Sequence, residues 1–120
     1  MPTATRQAGY SVRRAEGAPT VPCPCGQSTR IVTAADGLGC SFHITEIRDS
    51  VRHYHRNCAE VYYILEGTGR MELNDDTVEI TPGTVITIEP GTRHRLVSEG
   101  RVKTIVFGVP AFDPDDEHFD

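Results

Sequence analysis

Tryptophan is absent from this sequence, methionine occurs only twice, and there is no run of about 18 apolar residues from which a membrane-spanning helix could form. No membrane partner is expected. Positive charge is also scarce: 12 lysines and arginines stand against 17 aspartates and glutamates, and the longest basic cluster is Arg13-Arg14. A polyanion would meet net repulsion, which argues against nucleic acid as a partner. No apolar stretch follows Arg6, Arg13 and Arg14, and no small-residue cleavage site is visible, so no secretory leader is expected and a cytoplasmic location is. In that compartment the four cysteines are expected as free thiols. One, fourteen and seventeen residues separate Cys23, Cys25, Cys40 and Cys58, a spacing that matches no common zinc or iron-sulfur pattern. Cys58 is expected in a turn, exposed enough to oxidise.

Helical periodicity is the remaining absence. No window is long enough and periodic enough at 3.6 residues to form a helix. With 120 residues the chain can bury one core and no more. Residues 1–22 show no period of either kind and read as a flexible N-terminal arm. Prolines 19, 22 and 24 favour an extended path there, suited to a strand at a sheet edge. Residues 23–111 read as the folded domain and residues 112–120 as an acidic C-terminal tail, solvated or, in the alternative, docked on the barrel through Phe112 and Phe119.

What is present is a series of short alternating runs punctuated by turn residues. Strands are expected over 30–33, 40–49, 51–55, 60–66, 69–73, 77–80, 85–88, 94–98 and 102–109. Asp36-Gly37, Asn74-Asp75-Asp76, Pro82-Gly83 and Pro90-Gly91 supply turns, and Glu99-Gly100 reads as a two-residue hairpin loop. So many antiparallel strands in one small all-β domain protect their edges best by closing into a jelly-roll barrel, with a two-sheet sandwich as the alternative. An exposed edge and the arm together favour a homodimer.

Two segments carry chemistry. In His53-Tyr54-His55, residues two apart share a strand face about 7 Å apart, so both imidazoles can lean toward one ion. Residues 56–59 then turn the chain and return Glu60 beside them. The second segment, Gly83 to His94, ends its strand at Pro90-Gly91 and delivers His94 from a remote part of the chain. Three imidazoles and a carboxylate suit one divalent transition metal among Mn, Fe, Co, Ni, Cu and Zn. Tyr62 falls on the same strand face as Glu60, where a phenol can act on a substrate or simply pack as a lining aromatic. His43 and His118 lie outside both segments and read as surface or partly buried histidines, with the alternative that His43 faces the pocket if its strand is phased that way. Arg56, Arg93 and Arg95 flank the ligands, either to attract a carboxylate or phosphate or as solvated strand ends.

These paired segments resemble the two signature motifs of the cupin superfamily. The first matches His-x-His, four residues, Glu60, six residues, Gly67, although the family's leading glycine falls at Ile47. The second matches from Gly83 to His94, with Glu89 where proline is usual and Ser98 where the family has asparagine. The resemblance spans residues 40–108 and implies a cupin-type double-stranded β-helix that binds metal through His53, His55, Glu60 and His94. It implies a range of chemistries on a small polar substrate, among them dioxygenation, isomerisation, decarboxylation and elimination. Tyr62 resembles a tyrosine two residues after the metal-binding glutamate in cupin lyases that eliminate across a carbon-sulfur bond. The alternative is a non-catalytic module in which the metal holds a ligand or stiffens the barrel.

Overall fold

Alternation along each strand decides which side chains enter the barrel. The computed structural model describes residues 4–7, 9–23 and 25–120. Among the described residues ten strands follow one another: β1 (Ala4–Gln7), β2 (Tyr10–Arg13), β3 (Thr20–Cys23), β4 (Gly26–Val32), β5 (Ser41–Asp49), β6 (Ala59–Glu66), β7 (Gly69–Leu73), β8 (Asp76–Ile80), β9 (Val85–Ile88) and β10 (His94–Val109). The first two form a separate hairpin. The others form one antiparallel sheet in the order β3-β4-β5-β10-β6-β9, with β7 paired to β10 and to β8. The all-β barrel expected from the sequence is what these residues build.

The long strand β10 is the spine. Its first four residues pair with β7, and residues 103–109 lie between β5 and β6. Glu99-Gly100 is therefore not a hairpin loop, which corrects the sequence reading. The register with β5 jumps between Val97 and Val102, so the pair sits in an irregular, exposed stretch where one strand passes from one half of the barrel to the other. The strand expected over residues 51–55 is reduced to isolated bridges at His53 and Tyr54.

The barrel interior divides in two. On one side Ile47, Ile64, Met71, Ile80, Ile86, Ile88, Leu96 and Val102 form the apolar core, each such side chain stabilising by about 1.5–3 kcal/mol on full burial. Ile47, standing where the motif has glycine, is one of its fully buried members. On the other side the inward positions of β5 and β6 turn polar, with His43, Thr45 and Glu60 buried. Tyr62 lies at the junction, packed in the core and lining the cavity beyond it. Gly67, the first motif's last residue, has φ +92°, and a Cβ there would strike the Arg101 carbonyl at 2.5 Å.

Within the span read as an arm, the described residues include the β1/β2 hairpin. The β1/β2 hairpin is tied to the barrel by Arg13, whose guanidinium forks onto the Asp36 carboxylate at 2.7 and 2.8 Å and donates to the Ile31 carbonyl at 2.8 Å. β3 is the sheet's edge strand, as the prolines suggested, and it starts inside the span assigned to the arm. Cys23 and Cys25 are joined by a disulfide, which corrects the expectation of free thiols there. The cause is the tight β3/β4 turn, whose Cys23/Gly26 pairing brings the two Cα atoms to 5.1 Å, within bridging range. Cys40 and Cys58 are free. Cys58 is buried rather than exposed, and burial pushes its thiol up to about 11, so it is poorly suited to oxidation.

The acidic tail is docked, not solvated. Tyr54 and His118 exchange backbone hydrogen bonds at 3.0 Å, and Asp120 pairs with Arg93 at 2.8 Å. The Asp116 carboxylate accepts from the amides of Arg56 and Asn57 at 3.0 and 2.9 Å. Negative charge at the tail is thus matched by donors of the turn that carries the metal motif. Among the described residues no helix is long and apolar enough to cross a membrane.

Candidate metal centre

His53 and His94 are brought together by backbone pairing. Each donates its amide to the other's carbonyl, at 3.1 and 2.9 Å, which sets their rings side by side with centroids 4.3 Å apart and planes tilted by 56°. His55 joins them through the neighbouring turn, where Gly91, at φ +87°, donates its amide to the His55 carbonyl at 2.7 Å. That bond stitches the two motifs to each other. The three buried histidines present ring nitrogens that all lie within 4.8 Å of one another, a cluster able to hold a metal ion.

Hydrogen bonds on the far side of each ring fix its tautomer. Nδ1 of His53 lies 2.7 Å from the Val51 carbonyl, that of His55 2.8 Å from the Asp116 carbonyl, and that of His94 2.9 Å from the Thr92 carbonyl. A carbonyl only accepts, so each Nδ1 carries the proton and each Nε2 keeps a lone pair. Glu60 Oε1 sits 3.3 Å from Nε2 of both His55 and His94. All three of these atoms are buried and unpartnered by any hydrogen bond among the described residues. Lone pairs converging in a buried pocket repel unless a cation lies among them. The residues present therefore fit a divalent metal.

Without one, a proton takes the role. Burial pulls the His55 imidazolium down, but Glu60 and the Asp116 carbonyl outweigh it and raise the value to about 9. Burial would raise Glu60, yet the two imidazoles hold it at about 2. His53 is lowered to about 4, by burial first and by His94 next.

The cluster opens on a cavity of about 50 Å³. Tyr62 lines it, its ring edge toward His94 with centroids 6.1 Å apart, and burial pushes its phenol well above the ordinary value. His43 is buried and faces this cavity, the less favoured of the two readings of its strand, because β5 alternates it inward. His118 is half-buried, bonded to Asp116 at 3.0 Å. Of the flanking arginines, Arg93 lies over the Tyr54 ring at 3.5 Å and Arg95 donates to the Ser50 carbonyl, so neither lines the cavity. Arg30 does line it, and sequence reasoning passed it over together with Ser28 and Glu117, while Phe112 is there as the docked-tail alternative had it.

Known proteins carry the same fold. The cupin domain family model matches residues 42–109. An L-ectoine synthase of Mycolicibacterium gilvum is 39% identical over 90 residues, covering 70% of this chain and 68% of its own. One of Rhodococcus opacus is 36% identical over 89 residues, covering 70% and 67%. Among solved structures, a protein from Planctomyces limnophilus is 32% identical with a TM-score of 0.85, over 98% of this chain and all of that one. Ectoine synthase from P. lautus superposes with a TM-score of 0.75 at 23% identity, covering 84% and 78% of the two chains, a likeness of fold alone. With a barrel of this topology, a histidine cluster on the matching motifs and relatives of this closeness, the chain belongs to the cupin family.

Proposed function

We propose that this protein is a metal-dependent enzyme acting on a small polar molecule inside the barrel, with chemistry of the synthase or lyase kind. The observation that carries it is the set of buried, unpartnered donor atoms of His55, Glu60 and His94 converging beside His53, with His53, His55 and Glu60 lining a cavity. Its closeness to L-ectoine synthases supports a catalytic rather than a purely structural use of that centre. A divalent metal held by His53, His55, Glu60 and His94 would supply Lewis acidity to a substrate oxygen. The protein's own residues do the rest. The backbone carbonyls behind the imidazoles hold the rings in one orientation, and the apolar core beneath Tyr62 keeps bulk water from one side of the site.

Tyr62 is the group suited to move a proton. Burial raises its phenol further, so the O–H is retained and donates a hydrogen bond to a substrate oxygen that gathers charge or receives a proton. Tyr62→Phe removes that donor without emptying the core, and turnover is expected to fall roughly 10²- to 10⁴-fold while metal content stays constant. Unchanged turnover would return Tyr62 to a packing role. The reaction class is tested by purifying the protein without added metal, measuring the bound ion and screening turnover under air and under nitrogen. Turnover under nitrogen is expected; a requirement for oxygen would overturn the synthase or lyase assignment.

Metal binding must displace the proton that His55 otherwise holds. Since His55 in the metal-free protein titrates at about 9, apparent affinity is expected to rise roughly tenfold per pH unit from 6 to 8 and to level off above about 9. Calorimetry in buffers of different ionisation enthalpy should register about one proton released per metal near pH 7. An affinity flat across that range, with no release, would contradict a metal on Nε2 of His55.

A further inference from the structure

The wall of the cavity that faces away from the apolar core is polar by construction. β4 and β5 pair there in antiparallel register, with Ser28 opposite Thr45 and Arg30 opposite His43. All four side chains line the same cavity as the metal cluster. Ser28 is 3% exposed and its hydroxyl is buried with no hydrogen-bond partner among the described residues. The Nε of Arg30 is buried and unpartnered in the same way. Arg30 makes no ion pair within 4.0 Å among those residues, and its guanidinium lies over the Phe112 ring, 5.3 Å from the centroid. A buried guanidinium edge and a buried hydroxyl left unbonded cost free energy that folding does not recover. Both donors are on one strand, two residues apart, and so share a face.

We propose that Ser28 and Arg30 form an anion subsite for a carboxylate of the substrate, which makes the molecule acted on here a small carboxylic acid with its reacting end at the imidazole cluster. The inference rests on the reading of this cavity as a substrate pocket and adds the substrate class to it. A guanidinium presents N–H donors in a planar fork that matches a carboxylate, and the Ser28 hydroxyl supplies a further donor on the same wall. Phe112 backs the guanidinium and limits its approach to water. Two acidic side chains share the cavity, Glu60 and Glu117. Glu60 is engaged by the imidazoles, and Glu117, whose carboxyl burial raises while His55 and Arg30 draw it down, makes no ion pair with Arg30 within 4.0 Å among the described residues, so the guanidinium fork is left open to a further anion. His43, lowered to about 4 by burial and then by Arg30, is neutral near pH 7 and adds no competing positive charge.

The test uses metal-free full-length protein, so that a carboxylate cannot bind through a metal, with acetate as the probe and acetamide as its uncharged counterpart. Titration followed by NMR at the backbone amides of His43 and Thr45, which stand opposite the two donors and are present in every variant, is expected to show saturable acetate binding and none by acetamide. Arg30→Gln should weaken acetate roughly tenfold or more, and Ser28→Ala by a smaller factor. Arg30→Lys keeps the charge, loses the fork and should fall between, so the comparison stands even if the glutamine variant does not fold. Equal acetate affinity in all three variants, or equal binding of acetamide, would overturn the subsite. Zinc titration of the same variants separates this outcome from the metal reading. Retained zinc with lost acetate supports the subsite, whereas retained acetate at Arg30 in a protein that binds no zinc supports the subsite and sinks the metal centre alone.

Discussion

Replacing His94 with alanine is expected to leave the barrel folded and to lower its affinity for a divalent metal by more than roughly 100-fold, beyond the loss usual for a residue that only supports a ligand. The backbone pairing of His94 with His53 does not depend on the side chain, so the two segments stay in register. What disappears is one Nε2 donor from a cluster of three imidazoles, and one of the two imidazoles that face Glu60 Oε1. The ring is 1% exposed, so its loss also opens a small void, and some destabilisation accompanies the change. Metal analysis of the purified variant, with calorimetric titration of zinc, provides the measurement. His43→Ala is the control: that imidazole lines the same cavity but stands outside the cluster, and its removal should leave the metal in place. A His94 variant with full occupancy, or equal losses from both, would remove the basis for a metal centre on these residues.

The parts of the site that could be read from the sequence are those whose geometry is local or motif-bound. His53 and His55 are two residues apart, Glu60 returns after a short turn, and His94 follows a Pro-Gly turn, so strand alternation alone puts each in reach of the others. Gly67 and Gly91 could be read for the same reason, since both turns require a positive φ. What stayed hidden depends on contacts made far along the chain. Asp116 looks like solvated charge because nothing in residues 112–120 alternates, yet its partners are amides about 60 positions earlier. Ser28 and Arg30 were missed because a polar pair beside Ile31 and Val32 reads as the outer face of a strand. The register of β4 shifts between Arg30 and Val32, and the inward face of β5 opposite them is itself polar. Glu99-Gly100 carries a turn signature, but partners on both sides keep β10 running through it in one direction. The Cys23–Cys25 bridge follows from a hairpin whose register composition does not disclose.

Asp116→Ala should damage stability and metal binding together, because this tail residue serves both. Its carboxylate accepts from two backbone amides in the turn after His55 and from the His118 ring at 3.0 Å, and its own carbonyl accepts the Nδ1 proton of His55. Removing the carboxylate leaves the Arg56 and Asn57 amides without that acceptor, at a cost of about 2–4 kcal/mol and a drop in Tm of roughly 10 °C. With the tail loosened, the His55 ring loses the acceptor that fixes its tautomer, and zinc affinity should fall roughly 10- to 100-fold although no ligand has changed. The pH dependence has a definite sign. Burial alone would raise the Asp116 carboxyl, but the two amides and His118 hold it below its ordinary value of 3.8. A depressed value in the folded state means that the stabilisation is complete above that pH and is lost as the pH falls further. Thermal melts of the native protein should therefore decline more steeply below about pH 4 than those of Asp116→Ala, whose deficit is already present at neutral pH. Parallel acid limbs in the two proteins, together with unchanged zinc affinity, would mean that the tail rests on the barrel without organising the metal centre.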